Sequence, residues 1–506
     1  MGRRTVSLIG AFAIATGAAT MATGAGAEGI SSPRPSPAAA VRMRHFSSGL
    51  AHPQARPTRK TTPRQQQLAE PITPKPLAVA GVADSFGGAW SELGPAPIAG
   101  ERCCGPNPAD TYGAVSGKVS ALAVDPTNGN VVYAGSAGGG IWKSADAGST
   151  WSPLTDDRES LAIGALAIDA TGQVIYAGTG EGSPGIEALP GQGVLKSTDG
   201  GAHWVLLGNN RFSGVEIDSI AIDRTTSGST QRVFAATPVG LFTSTDGGVN
   251  WTQNTQILSA TLPNVVNGAV SGGIINVIQD PVTPSKFWAA LSDFCATEAG
   301  NIAISTDGGN TWEDSNDFIH APLASRIGLA VGTSGIAYAA LATCDDSTLG
   351  LAQGQLGELD QTFDGGSSWR ALPADTPGLV DYFTYPGGDG PGGWHSNVIG
   401  VDPVDPMHAV FGGVQVMATV DGGSSFRLVG PMEAGSVVHP DQHAIAFTGF
   451  NSFYIGNDGG VWRTLNLGGL GRPGDWTDLN QNLRVVQFYA GSALDTNHYL
   501  GGAQDN

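Results

Sequence analysis

Apolar residues in this chain come in short runs, and each run ends at Gly, Pro, Asn or Asp. Residues 119 to 151 set the pattern. A run closes at Val124-Asp125-Pro126, a polar turn follows, then Val131-Val132-Tyr133-Ala134-Gly135, a Gly-rich loop, Ile141-Trp142-Lys143, a second polar turn and Trp151. No stretch of helical period interrupts them, so the pattern predicts four short strands with three reversals. The same order recurs at Ile168-Asp169 with Ile175-Tyr176, at Ile222-Asp223 with Val233-Phe234, at Asp280-Pro281 with Phe287-Trp288, and at Val401-Asp402-Pro403 with Val410-Phe411. A four-stranded antiparallel unit repeated at this length is one propeller blade, and the expected fold class is all-β.

The turn before each closing aromatic is itself a repeat of the form Ser/Thr-x-Asp-x-Gly-x-x-aromatic. Its Asp residues are Asp146, Asp199, Asp246, Asp307, Asp364 and Asp421, spaced by 53, 47, 61, 57 and 57 positions. Asp can accept backbone N–H groups across a tight turn, and Gly supplies the positive φ that the reversal needs. These Asp residues therefore read as a folding device. The closing aromatics, Trp151, Trp204, Trp251, Trp312, Trp369 and Phe426, are expected to be buried between blades, each Trp stabilising by about 4 to 6 kcal/mol at most.

Counting blades gives seven and a remainder. The seventh runs from His443 through Asn457-Asp458-Gly459-Gly460 to Trp476. An eighth starts at Gln487-Phe488-Tyr489 and stops at Asn506 before its third strand. Trp90 resembles the fourth strands and is expected to help close the last blade. The unfinished repeat suggests a fragment of a longer protein with a second propeller.

The N-terminus carries other information. Arg3-Arg4, an apolar run from Val6 and Ala25-Gly26-Ala27 form a secretory signal over residues 1–27. Residues 28–84 are rich in Pro, Ala, Gln and Arg and read as a disordered linker, leaving 85–506 as the propeller. The expected location is secreted or periplasmic, with no stable membrane insertion. Residues 1–84 hold 10 of the 25 Lys and Arg and 3 of the 44 Asp and Glu, so the propeller has 15 basic against 41 acidic residues. Such a body is a poor nucleic-acid binder and suits cations, polyols or basic partners. Of four cysteines, Cys295 and Cys344 follow the second strands of blades four and five and are placed for a disulfide.

The six Asp turns resemble Asp-box (BNR) repeats, and residues 88 to 506 look like the bacterial Asp-box propellers. That group includes sialidases, xyloglucan-hydrolysing glycosidases, the sortilin-type receptor ectodomain and a photosystem assembly factor. The resemblance is specific for fold and implies either a glycosidase or a recognition scaffold. In the enzymes it implies an active site on the face opposite the Asp turns.

That face is built from the loops between second and third strands and from the starts of the innermost strands. The loops offer Glu181, Asp293, Asp345, Asp346, Asp458 and Asp505. Aligning the inner strands on the Asp-Pro marker puts Lys118, Glu216, His395 and Asp441 at one position, and Ser120, Asp218, Asn397 and His443 two residues later. Strand alternation in His439-Pro440-Asp441-Gln442-His443 would present His439, Asp441 and His443 together, as a divalent-cation set or an acid/base set. No other cofactor is indicated.

Hydrolysis of a glycosidic bond needs two carboxylates. Asp458 matches the xyloglucanase-like pattern, whereas Ala137 stands where the resemblance wants the partner carboxylate, so Glu181 or Asp505 would have to substitute. A sialidase needs an Arg triad and an Arg-Ile-Pro motif, and the nearest match is Arg326-Ile327-Gly328. The expectation is thus a propeller scaffold binding a polysaccharide or protein, with a glycoside hydrolase using Asp458, Glu181 and Asp505 as the alternative, and Lys118, Glu216, His395, Asp441 and His443 as ligand-binding residues.

Overall fold

The computed structural model describes residues 97–99 and 112–503, except 183–188, 258–264, 267–268, 271–272, 293–299, 316–323, 345–351, 386–389, 431–437, 468–474, 487 and 494–498. Seven four-stranded antiparallel sheets follow one another, each with its strands in chain order. Their innermost strands are Val119–Val124, Ile163–Ile168, Ser219–Ile222, Gly273–Gln279, Ala324–Val331, Val398–Val401 and Gln442–Gly449. Among the described residues, helix is confined to short pieces such as Asn209–Phe212 and Gly228–Thr230. The protein is a seven-bladed β-propeller.

The ring closes on itself at seven. Val119 and Val132 of blade one share a core with Tyr454, Val461 and Leu479 of blade seven, and the two inner strands are neighbours. The expected eighth blade is therefore not part of this ring. Phe488–Ala493 and Tyr499–Ala503 form a separate two-stranded sheet beyond it. Trp90 lies outside the described residues.

Each Asp turn is built alike. In blade one, Asp146 Oδ1 accepts from Ser144 Oγ at 2.8 Å and from the Thr150 amide at 2.8 Å, while Oδ2 accepts from Thr150 Oγ1 at 2.7 Å. Blade six repeats the set with Thr419, Asp421 and Ser425. These bonds hold Asp364 down to about 2, the Ser368 hydroxyl contributing most. The aromatic that follows is buried in all six copies, Trp151 at 4% and Phe426 at 7% exposure being the extremes.

Neighbouring blades are tied through these turns. Lys143 Nζ donates to the Gly200 carbonyl at 2.8 Å and Lys196 Nζ to the Gly247 carbonyl at 2.8 Å. Arg232 reaches Gly308, Lys286 reaches Gly365, and Arg463 of blade seven reaches Ala147 of blade one at 3.3 Å. A cation from one blade thus caps a turn carbonyl of the next, which sets the turns in a row on one face. The loops between second and third strands emerge on the other.

On that other face the inner strands are irregular in a recurring way. The pairing slips between Val119 and Ala121, Ile163 and Ala165, Ile274 and Asn276, Ala324 and Arg326, and Gln442 and Ala444. A bulge of this kind re-aims side chains near a strand end. In blade seven the extra residue is His443.

Candidate functional site

Five of the sequence-derived residues meet at the mouth of the central channel. Lys118 precedes the inner strand of blade one, Glu181 follows the second strand of blade two, His395 lies on the turn ahead of blade six, His443 sits on the bulge of blade seven, and Asp458 directly follows the second strand of that blade. Lys118 Nζ is 2.5 Å from Glu181 Oε1 and 3.1 Å from His395 Nε2. His443 Nε2 is 2.6 Å from Asp458 Oδ1. The two imidazoles meet edge to face, their centroids 4.7 Å apart.

Asp441 stands one step behind this group. Its Oδ1 accepts from Ser396 Oγ at 3.1 Å, Ser396 Oγ is 2.9 Å from His395 Nδ1, and Tyr385 donates a short hydrogen bond to its Oδ2. His439 faces elsewhere, tilted against Tyr112 with centroids 4.9 Å apart and stacked on Trp462. Gly459 allows this, because a Cβ there would lie 2.6 Å from the His439 ring. The expected trio of His439, Asp441 and His443 is therefore not assembled. Asp441 has φ +61°, outside extended geometry, and the strand begins only at Gln442, so alternation does not run through the segment.

Electrostatics separates the two carboxyls of blade seven. Burial works against ionising Asp458, but His443 and Lys118 outweigh it and hold the carboxyl well below the usual range. Burial, then the charge of Asp458, push Asp441 up to about 6, with the Tyr385 hydrogen bond opposing them. Burial and the nearby Lys118 keep both His395 and His443 below their ordinary values.

Between the inner strands lies a cavity of about 190 Å³ whose lining includes the polar side chains of Ser120, Asp218, Asn276, Arg326, Asn397 and His443. Burial raises Asp218 to about 8, Arg326 opposing and Glu216 adding to the rise. Gly182, next to Glu181, presses so closely on Asp218 that a Cβ would overlap its Oδ1.

Asp505 and Cys295 lie outside the described residues, as do Asp293, Asp345 and Asp346. Cys344 is buried and disulfide-bonded. Glu216 is part of the channel's charge field without a contact to the Lys118 group among the bonds described. Sequence reading missed Tyr385 and Ser396 as partners of Asp441. Tyr385 sits in a segment with no counterpart in other blades, so no repeat position signals it; Ser396 is adjacent to His395, and that adjacency was the available clue.

No protein-family profile matches the chain, and no curated protein matches it. Solved structures do. The chain resembles the GH74 xyloglucanase from Xanthomonas campestris, with 18% identity and a TM-score of 0.52 over 77% of this chain and 58% of that one. A GH74 enzyme from Niastella koreensis gives 17% identity and a TM-score of 0.51 over 81% and 60%. An ancestral GH74 enzyme gives 16% and 0.50 over 77% and 49%. The likeness is one of fold. This chain spans about three fifths of the length of the first two structures it matches.

Proposed function

We propose that the protein is a binding propeller that takes a polysaccharide at the channel mouth, on the face opposite its Asp turns. The observation that carries this reading is two part-exposed aromatic side chains, each beside a fixed polar cluster. Trp394 lies 5.4 Å from His395, centroid to centroid, and Tyr385 is held by Asp441. Aromatic faces with adjacent carboxylate and imidazole groups suit the apolar face and hydroxyl edge of a sugar ring. Binding is favoured over hydrolysis because Asp458 and Glu181 are each held by a basic partner, His443 and Lys118.

A second reading has its own observation. Asp441, raised to about 6, stands near Asp458, held low, and two carboxyls with opposed environments are the pattern of a glycosidase acid and its ionised partner. In that reading Asp441 is the acid and Asp458 the nucleophile or base.

The test combines binding and product analysis on xyloglucan, mixed-linkage β-glucan and a sialoside. Expected are retention by at least one β-glucan without release of reducing ends, and at least tenfold weaker binding in Trp394→Ala. Reducing ends released by the wild type and lost in Asp458→Asn and Asp441→Asn would establish the hydrolase instead. Absence of binding to every glycan would leave a protein ligand.

A further inference from the structure

The same channel mouth also contains a set of metal-type donors. His395, His443 and Asp458 each offer one ligand atom, and the three atoms lie within 4.8 Å of one another. They come from three different loops or strands of blades six and seven, so the fold itself gathers them. A second, independent observation concerns Asp458. The residue is 1% exposed, and its Oδ2 is buried without a hydrogen-bond partner. A buried carboxylate oxygen left so is costly unless a cation answers it.

We propose that His395, His443 and Asp458 bind a divalent cation of the zinc class. Two imidazole nitrogens and one carboxylate oxygen match the ligand preference of borderline cations and leave a fourth position open to water or a ligand. Hard cations such as magnesium and calcium prefer all-oxygen shells and are selected against. An outer row is already built: Ser396 Oγ holds His395 Nδ1 at 2.9 Å and is itself held by Asp441 at 3.1 Å, which fixes the imidazole. Two contacts compete with the cation: the hydrogen bond between His443 Nε2 and Asp458 Oδ1, whose shared proton the cation replaces, and Lys118. The Lys118 ammonium stands 3.1 Å from His395 Nε2, and cation entry moves it away from His395 while its ion pair with Glu181 gives it a place to stay. This site stands independently of whether a polysaccharide binds above it.

The test uses the full chain, stripped with a chelator and titrated with zinc chloride by calorimetry, with metal content read by mass spectrometry. One zinc per chain is expected, at least tenfold weaker in His443→Ala and Asp458→Asn, and tighter in Lys118→Met. Magnesium and calcium should give no saturable uptake. X-ray absorption at the zinc edge of the wild type should count two imidazole ligands with oxygen donors. No saturable uptake overturns the proposal, as does undiminished uptake in both ligand variants while they keep the wild-type circular dichroism. That second outcome would send the zinc to surface pairs such as His203 with Asp199. Should the variants fail to fold, an imidazole count other than two overturns it on the wild type alone.

Discussion

Asp360 is an apolar-site carboxyl that should make the propeller less stable as pH rises toward neutrality. It lies on the third strand of blade five, Leu356–Thr362, opposite Ala339 and Ala371. Ala339 packs there with Trp288 and Trp369. Asp360 is fully buried, and neither carboxylate oxygen has a hydrogen-bond partner. Burial, with Glu358 adding, raises the carboxyl to about 8. The folded chain therefore keeps a proton that the unfolded chain, with a carboxyl near its ordinary value of about 3.9, gives up. Between those values the folded state binds more protons, and stability falls by about 1.4 kcal/mol per pH unit. From pH 5 to pH 7 the loss is about 2.7 kcal/mol on that slope.

Asp360→Asn removes the titration at nearly constant shape. Urea denaturation of both proteins at pH 5, 6 and 7 measures the difference directly, since other carboxylates cancel in the comparison. The variant should gain on the wild type by about 2 to 3 kcal/mol as pH goes from 5 to 7. A difference that stays flat across this range would refute the argument, because it would mean that Asp360 ionises alike in the folded and unfolded chains.

Other expectations follow from the same geometry. Ala147 has φ +61° at the turn position where Gly200, Gly247, Gly308, Gly365 and Gly422 stand in the other copies, so Ala147→Gly should stabilise by about 1 kcal/mol in urea melts. Asp421→Ala removes the bonds from Thr419 and Ser425 and should cost about 1 to 3 kcal/mol; because hydrogen bonds depress carboxyls such as Asp364 to about 2, that class of stabilisation should fade as pH falls from about 4 to about 2. Lys118→Met should cost about 3 to 5 kcal/mol by leaving Glu181 buried and unpaired, and Lys118→Met with Glu181→Gln should recover much of it in the same melts. A non-reduced digest should contain Cys344 joined to Cys295, with alkylation of Cys344 only after reduction.

The blades were legible in the sequence because every feature that builds them is local. A turn of eight residues carries its own Asp, hydroxyl and Gly, and the following Trp has one place to go, so repetition alone exposes the unit. The interblade cations were not legible in that way. Lys143 and Lys196 occupy strand positions and Lys286 directly precedes a strand, all of them places that look solvent-facing, and only the ring shows that each ends on a carbonyl of the next turn. Closure at seven was hidden for the same reason: a hairpin at residues 488–503 repeats the strand pattern, while membership of the ring depends on whether Val119 already packs on Tyr454.

At the channel mouth the sequence argument worked for positions and failed for directions. Aligning inner strands correctly brought Lys118 and His395 to one rim, because both sit at the same offset from a repeated marker. Strand alternation then assigned His439, Asp441 and His443 a common side, and here the chain departs from the rule it was read by. Asp441 takes a left-handed conformation and His443 is the extra residue of a bulge. The bulge turns His443 toward Asp458, and the reversal before it leaves His439 stacked on Trp462. Both distortions break the two-residue period at the point where side chains from different blades must converge. A period-two reading is reliable where a strand pairs regularly, and a functional rim is where it does not. Irregular pairing at the start of an inner strand is thus the feature to seek when a propeller's chemistry is sought, and five blades here carry it at the face opposite the Asp turns.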